Sequence, residues 1–332
     1  MAKRVSLKDI AAKVGVSTAL VSYVLNGQEK EKRVGKEVVE KIRKAADEMN
    51  YQPNQIARSL RKGTTSTIGL IVADIANPFF GQLARIIEDE ASRHNYVVIL
   101  GSSDESWRKS ASLTEIFLNR QVDGFILVPS EGDHILVQSL AQRNIPLVLI
   151  DRHFPEIDTD FVVLDNQKAT YEATLRLIDK GCRKIKMVAY HSSLSHMNER
   201  IKGYRDAMYE RNLNQFAKVE EVETRTMQMA NRMDDIIRNA DNEALIFATN
   251  TLSIAGLYAI QRNNIQVPND LLVIGFDGNE AFDFFSPPIT FIEQPLQEIG
   301  RQAVNAVLKQ IQGSEQKMQL RIASQLVARD SG

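Results

Sequence analysis

Short apolar runs alternate with amphipathic stretches along most of the chain, and this alternation restricts the fold more than any other feature. A run that is followed by a helical pattern, as in residues 78–95, is typical of a parallel sheet flanked by helices. The runs occupy residues 68–73, 97–100, 124–128, 147–150, 161–164, 185–189, 244–247 and 271–275. Eight such strands predict two doubly wound subdomains. A barrel of eight strand–helix units is the alternative, but the alternation is not regular enough to favour it.

The loops that follow the predicted strands are the candidate ligand contacts, because open parallel sheets bind ligands beyond the carboxyl ends of their strands. With two facing subdomains, these loops predict a ligand in the cleft between them. The candidates are residues 74–80, residues 102–107, Asp151, Arg152, Asn250 and Asp277.

Residues 7–25 carry apolar side chains at helical spacing on both sides of Gly15. Glycine readily adopts the left-handed conformation that ends a helix, and Ser17 is a suitable N-cap for a second helix. Two short helices joined by such a turn predict a helix-turn-helix, and residues 36–50 predict a third helix that closes its core. A generic three-helix bundle is the alternative.

In a helix-turn-helix the second helix enters the major groove of DNA, and its first residues meet the base edges. The exposed positions on this helix are Thr18, Ala19, Ser22 and Tyr23. Of these, Thr18, Ala19 and Tyr23 are predicted to contact bases. Hydroxyl and amide groups at Ser17, Ser22 and Asn26 suit phosphate contacts, which fix the position of the protein on the duplex.

The charge distribution agrees with a polyanion-binding head. Residues 1–63 contain 14 basic and 7 acidic residues, whereas the rest of the chain contains 27 basic and 35 acidic residues. After Pro53, residues 54–61 predict about two helical turns, beginning at Asn54 and carrying the basic Arg58 beside the apolar Leu60. Two turns are too short to be stable alone in water, and a plain linker is the alternative.

Three segments, residues 7–27, 33–61 and 67–80, resemble the lactose-repressor/galactose-repressor family of bacterial regulators, and the resemblance continues to the closing LVARDS. It implies a periplasmic-binding-protein-like core and a hinge helix at residues 54–61 that lies in the minor groove, with Leu60 wedged between base pairs. It also implies effector contacts from Asn77, Phe79, Phe80, Arg200, Asn250 and Asp277.

Structural roles compete with these effector roles. Asp277 and Asn77 could cap helices, and Arg200 could form a surface ion pair. The chain also departs from the family pattern in three places. Tyr23 stands where many members have arginine or histidine, Gly35 replaces the usual hydroxyl cap of the third helix, and Thr251 replaces an aspartate that supplies a polar acceptor.

We therefore predict an α/β protein with an all-α helix-turn-helix head and two doubly wound parallel-sheet subdomains. The DNA-binding domain is predicted at residues 1–52, the hinge at 53–64 and the effector-binding core at 65–332. Within the core, the first subdomain comprises residues 65–164 and 294–322, and the second comprises residues 165–293 and 323–332.

The predicted function is allosteric transcription regulation, as a repressor, by a homodimer on a near-palindromic DNA operator, with a sugar or sugar derivative as the effector. No secretion signal or membrane-length apolar run is visible, so a cytoplasmic location and no membrane partner are expected. No phosphate-binding loop or catalytic set is evident, so neither an enzyme nor a cofactor is expected. His191 and His196 are five residues apart and so do not lie on one face of a helix, which is why no metal site is expected there. A transport solute-binding protein and a sugar-modifying enzyme are the rival interpretations.

Overall fold

The computed structural model describes residues 5–51, 63–223, 227–239 and 241–332. Packing contacts divide the chain into two units, of which the first ends at Thr65 and the second begins at Ser66. In the described ranges no helix is long and apolar enough to cross a membrane.

The first unit contains three helices, α1 (Leu7–Val14), α2 (Thr18–Leu25) and α3 (Lys36–Glu48). Gly15 ends α1 with a left-handed φ of 75°, and Ser17 caps α2 by accepting a hydrogen bond from the Leu20 amide at 3.2 Å. The predicted helix-turn-helix is thus confirmed, including both capping residues. The third helix ends two residues earlier than expected, because Asn50 adopts a positive φ of 50°.

A small apolar core holds the three helices together. Its buried side chains come from all three helices, and they are Ile10, Ala11, Val21, Val24, Val39, Ile42, Ala45 and Ala46. Gly35 lies before α3 and provides no side-chain cap, as its lack of a hydroxyl group dictates.

The second unit contains two six-stranded sheets. Strands β1 (Thr67–Val72), β2 (Val97–Ser102), β3 (Gly124–Leu127), β4 (Leu147–Ile150), β5 (Asp160–Leu164) and β11 (Gln319–Ile322) form the first sheet, in the order β11-β5-β4-β3-β1-β2. All its neighbouring strands are parallel. Its helices are α4 (Pro78–Arg93), α5 (Trp107–Asn119), α6 (His134–Gln142) and α12 (Leu296–Ile311).

Strands β6 (Ile185–Tyr190), β7 (Lys218–Val222), β8 (Ala244–Phe247), β9 (Leu272–Phe276), β10 (Thr290–Glu293) and β12 (Gln325–Val327) form the second sheet, in the order β12-β10-β9-β8-β6-β7. Only β12 is antiparallel to its neighbour among these pairs. Its helices are α7 (Asn166–Asp179), α8 (Ser195–Glu210), α9 (Met227–Ile237), α10 (Asn250–Arg262) and α11 (Glu280–Phe284), and a 3₁₀ turn spans Asn214–Phe216.

The eight predicted strands are confirmed, and two doubly wound sheets replace the alternative single barrel. Four further strands, β7, β10, β11 and β12, did not show in the sequence pattern. Three of them lie at sheet edges, and they are short or carry charged side chains, as in KVEEV at Lys218–Val222. Edge strands with charged residues lack the continuous apolar run that marks a buried parallel strand.

The chain passes between the two sheets three times, after Leu164, Glu293 and Ile322. These passages bring the carboxyl ends of strands from both sheets toward one region. The subdomain and hinge boundaries proposed from the sequence stay predictions, and the predicted hinge helix, residues 54–61, lies outside the described ranges.

Candidate nucleic-acid interface and ligand cavity

The first residues of α2 form the exposed end of the helix pair. Ser17, Thr18 and Ala19 are exposed, whereas Ser22 and Tyr23 are half-buried. The Ser17 hydroxyl already accepts the Leu20 amide, so its remaining capacity for a phosphate is as a donor. Three adjacent small side chains on a helix N-terminus can approach a nucleic acid closely, and the positive end of the helix dipole favours a phosphate there.

The second turn of α2 is more constrained than the sequence indicated. The Asn26 side-chain amide donates to the Ser22 carbonyl oxygen at 2.6 Å and to the Ser22 hydroxyl at 3.1 Å. The Lys32 ammonium lies 5.8 Å from the centroid of the Tyr23 ring. The Asn26 amide therefore has intramolecular partners that DNA would have to replace or share, whereas the Ser22 hydroxyl only accepts here and can still donate to a phosphate. The predicted hinge contacts Asn54, Arg58 and Leu60 lie outside the described residues.

A cavity of about 370 Å³ lies at the carboxyl ends of strands from both sheets of the second unit. This volume is within the range of small-molecule sites. All seven predicted effector contacts line it, namely Asn77, Phe79, Phe80, Arg152, Arg200, Asn250 and Asp277. The structure thus brings together residues that are up to two hundred positions apart in the chain, while their role as effector contacts stays a prediction.

Asn77 and the two phenylalanines form the beginning of α4. The Asn77 side-chain oxygen accepts from the Phe79 amide at 3.1 Å, and Pro78 occupies the first helical position, where its missing N–H costs nothing. The rings of Phe79 and Phe80 are buried edge to face, with centroids 5.0 Å apart. Asn77 is therefore both a helix cap, as the structural alternative held, and a cavity residue.

Arg200 extends from α8 and is buried, so the surface ion pair that was its alternative role is wrong. Its Nε donates to the Asn166 side-chain oxygen at 2.8 Å, and its Nη1 donates to the Ala248 carbonyl oxygen at 2.6 Å. The guanidinium carbon lies 3.7 Å from the centroid of the Phe276 ring. Burial lowers the pKa of Arg200, and the carboxyl group of Asp277 opposes that effect. The guanidinium is thus fixed in one orientation at the cavity wall.

Asp277 follows β9 directly and has a positive φ of 59°. Burial raises the pKa of its carboxyl group from 3.8 to about 6, although Arg200 and a hydrogen bond from Gln294 act in the opposite direction. The Gln294 amide donates to Asp277 Oδ1 at 2.8 Å, while Gln294 Oε1 is buried without a partner in the described residues. Gln294 could not be predicted as a site residue, because it follows β10, a strand that the apolar pattern did not reveal.

Arg152 lines the cavity but is bound to the protein itself. Its two terminal nitrogens donate to the two carboxylate oxygens of Glu105 at 2.7 and 2.8 Å, and its Nε lies 3.4 Å from Asp151 Oδ2. Burial raises the pKa of Asp151, and Arg152 partly offsets this. Glu105 and Asp151 both fell within the predicted post-strand loops, but only tertiary contact shows that they hold Arg152.

Asn250 is the first residue of α10, whose N-cap is Thr249. Its side chain is buried against the cavity and makes no hydrogen bond with the described part of the chain. Thr251 also lines the cavity, so the position where the family pattern has an acidic acceptor here offers a hydroxyl group. Among the described residues, no group of three or more histidine, cysteine or acidic side chains could hold a metal ion.

Two family models match separate parts of the chain. "Bacterial regulatory proteins, lacI family" matches residues 6–54, which contain the helix pair. "Periplasmic binding protein-like domain" matches residues 174–332, which contain all six strands of the second sheet.

Relatives that align over more than nine tenths of this chain are also regulatory proteins of DNA. The chain is 32% identical to the HTH-type transcriptional repressor PurR of Vibrio vulnificus (strain CMCP6), with 98% of each chain covered. It is also 32% identical to the ribose operon repressor of Halalkalibacterium halodurans, over 92% of this chain and 90% of the relative. In fold it is similar to the Lac repressor dimer bound to operator and the anti-inducer ONPF, with a TM-score of 0.87, 22% identity and 99% of each chain covered.

Proposed function

Since the chain belongs to the lacI family of bacterial regulatory proteins, we propose that it is a transcriptional repressor whose affinity for an operator is set by a sugar or sugar derivative. The observation that carries the DNA-binding part is the lacI match over residues 6–54, which contain the helix pair with the exposed N-terminus of α2. A repressor acts on the chromosome, so the proposed location is the cytoplasm.

The cavity carries the effector part of the proposal. It combines apolar rings from Phe79 and Phe80 with a few convergent polar groups, which is the usual composition of a small-molecule site. Asp277 accepts from vicinal hydroxyls, and the guanidinium of Arg200 and the free amide of Asn250 donate to them. A named ribose operon repressor among the relatives supports a sugar.

Coupling between the two sites would follow from a change in the cleft that alters how the heads bind DNA. The family resemblance implies a hinge helix at residues 54–61 with Leu60 in the minor groove, and we propose Asn54 and Arg58 as further DNA contacts. Such coupling is typically about 5- to 150-fold in affinity and is reciprocal, so operator DNA must change effector affinity by the same factor. Leu60→Ala should reduce DNA bending and leave effector binding unchanged; unaltered bending would contradict the wedge.

We propose that the working form is a homodimer on a near-palindromic site. Val97 and Leu100 on the edge strand β2 are 66% and 44% exposed, and Ile116 on the neighbouring α5 is 46% exposed. Such exposed apolar side chains are typical of a protein interface. Leu100→Asp should convert the protein to a monomer in sedimentation velocity, while Ile135→Asp, at an exposed apolar site on α6, should not.

The experiment that tests the proposed function is selection of bound duplexes from a random library by the full-length protein, near physiological salt because affinity depends steeply on salt. Enrichment of a near-palindrome is expected. Thr18→Ala should then relax preference at one position per half-site by about 10-fold, consistent with the loss of a base contact. Glu40→Ala, on the exposed side of α3, serves as the control. No enrichment, either alone or with pooled sugars and nucleobases, would refute the assignment.

A further inference from the structure

We propose that the cavity of the second unit selects an effector without a phosphate or carboxylate group, namely an uncharged or amine-bearing polyhydroxy compound. This inference rests on the proposed function, because it concerns the effector of that repressor. It narrows the chemical class on the basis of the charges that line the cavity and the partners that each charged group already has.

Carboxylates outnumber guanidinium groups at the cavity wall. Six acidic side chains line it, and they are Asp74, Asp104, Glu105, Glu131, Asp151 and Asp277. The lining arginines are two, Arg152 and Arg200, and no lysine lies among the lining residues. Asp104 pairs with Lys109 and Glu105 pairs with Arg152, so an anionic group that entered this cavity would chiefly meet the carboxyl groups of Glu131, Asp151 and Asp277. The setting is partly buried, and screening by water is weak there.

Both arginines already have intramolecular partners, and among the described residues only the Nη2 group of Arg200 is left without one. Arg152 already has a two-pronged ion pair with Glu105, the geometry that a phosphate or carboxylate ligand would otherwise adopt. Arg200 donates to Asn166 and to the Ala248 carbonyl oxygen, and its face packs on an aromatic ring. A phosphate at Arg152 would have to break the pair with Glu105 and leave that carboxylate without its donor, which is costly, whereas at Arg200 it could reach only Nη2 without displacing a partner.

The helix N-termini at the cavity do not substitute for free cations. Helix N-termini bind phosphates through unpaired amide groups. At α4 the Phe79 amide donates to the Asn77 side chain, and at α10 the Leu252 amide donates to the Thr249 hydroxyl. These side-chain caps reduce the number of amides that an anion could receive at either helix.

Several acceptor atoms at the cavity lack a donor in the described part of the chain. Gln294 Oε1 is buried without a donor, Asp277 accepts its hydrogen bond through Oδ1 alone, and Glu131 receives both Ser193 hydrogen bonds on Oε1. Within the described part of the chain, the second oxygens of Asp277 and Glu131 have no donor. Hydroxyl and ammonium groups supply donors, whereas an ionised phosphate supplies acceptors almost exclusively.

Two matched pools of compounds test the proposal on the full-length protein. The first contains pentoses, hexoses, disaccharides and amino sugars, and the second contains phosphate esters of the same sugars, with inorganic phosphate at equal ionic strength as the blank. Thermal unfolding and the fluorescence of the single tryptophan, Trp107, report binding. Trp107 packs against Gly132, next to the cavity residue Glu131, so its emission should respond to an occupied cavity.

We expect saturable stabilisation by a member of the first pool, with its phosphate ester binding about 100-fold more weakly or worse, because like charges at a binding site are strongly discriminated against. Comparable or tighter binding of a phosphate ester would overturn the inference while leaving the repressor function intact. No response to either pool, with operator binding intact, would contradict the sugar effector and this inference together.

A gain-of-function variant tests whether the ion pair between Glu105 and Arg152 excludes phosphate esters. Glu105→Gln removes the carboxylate that holds Arg152, so affinity for phosphate esters should rise about 10-fold relative to the unphosphorylated sugar. Glu115→Gln, an exposed position on α5, is the matched control and should leave the ratio unchanged. An unchanged ratio in Glu105→Gln, in a variant that still binds the unphosphorylated sugar, would show that the carboxylates do not set the selectivity.

Discussion

Replacing Asp277 with asparagine should stabilise the ligand-free protein at neutral pH while removing its response to the effector. The carboxyl group is buried beside the cavity, and its charged form lacks full compensation from Arg200 and Gln294. Binding sites often retain groups of this kind, because a group that is poorly satisfied in the free protein is available to a ligand. Asparagine has nearly the same shape and still accepts the Gln294 hydrogen bond.

The magnitude follows from the pKa of Asp277, which burial raises from 3.8 to about 6. A shift of about two units corresponds to roughly 3 kcal/mol between the two protonation states. The folded state binds the proton more tightly than the unfolded state, so the free energy of unfolding falls as pH rises from about 4 to about 6. Above that range the carboxylate carries its full cost of burial, and below it the cost is absent.

The assay is urea unfolding of the wild type and Asp277→Asn at a series of pH values from about 4 to about 8. We expect the variant to be more stable by about 2–3 kcal/mol near pH 7.5, with the difference shrinking to near zero at pH 4. Asp235→Asn, an exposed position on α9, removes one carboxylate without relieving burial and should show no such pH-dependent gain.

A variant that is no more stable than the wild type at pH 7.5 would refute the reasoning, as would a difference that does not change with pH. The predicted loss of the response to the effector is independent of the stability result. If Asp277→Asn is more stable yet still responds normally to the effector, then burial of the charge is confirmed and its role in ligand binding is wrong.

Three further changes test the packing and the caps. Gly203→Ala should destabilise the second unit by about 3 kcal/mol or more in urea unfolding, because the new Cβ would lie 1.9 Å from the Gln167 carbonyl oxygen. Gly81→Ala is the control, since it has open space and should be neutral or slightly stabilising. Equal effects of the two substitutions would contradict the close approach of α8 to α7. Ser17→Ala should lower the opening free energy of α2, measured by hydrogen exchange, by about 1 kcal/mol, and unchanged protection would contradict the cap. Arg200→Gln should cost about 2–4 kcal/mol, since two buried oxygens lose charged donors, and it should abolish effector binding; a stable, responsive variant would contradict both roles.

Local sequence alone determined the helix-turn-helix and most of the strands. Gly15 and Ser17 act through their own backbone and side chain, so the turn between α1 and α2 could be predicted residue by residue. Strands buried on both faces must be apolar throughout, and apolar runs revealed eight of the twelve described strands, among them the edge strand β2, whose apolar side chains are partly exposed. The helix start at Asn77 and Pro78 was likewise a local signal.

The positions of the effector-contact candidates were predictable, but their chemistry was not. Resemblance and post-strand position together identified seven residues that the structure places around one cavity. Neither the resemblance nor the post-strand position showed three of the contacts. Glu105 forms an ion pair with Arg152, Gln294 donates a hydrogen bond to Asp277, and the Arg200 guanidinium packs on the Phe276 ring. In each of these pairs the two residues are distant in the sequence and belong to different strands, helices or loops, so only the folded chain shows that they are in contact.

The sequence by itself determined what depends on neighbouring residues, namely caps, turns and the apolar period of buried strands. Only the tertiary structure decided what depends on dielectric environment and on distant partners: the edge strands β7, β11 and β12, the raised pKa of Asp277, and the pairing of the charged groups at the cavity. The physical reason is that a carboxylate has the same intrinsic chemistry everywhere in a chain, whereas its free energy of ionisation depends on how much water and which charges surround it after folding.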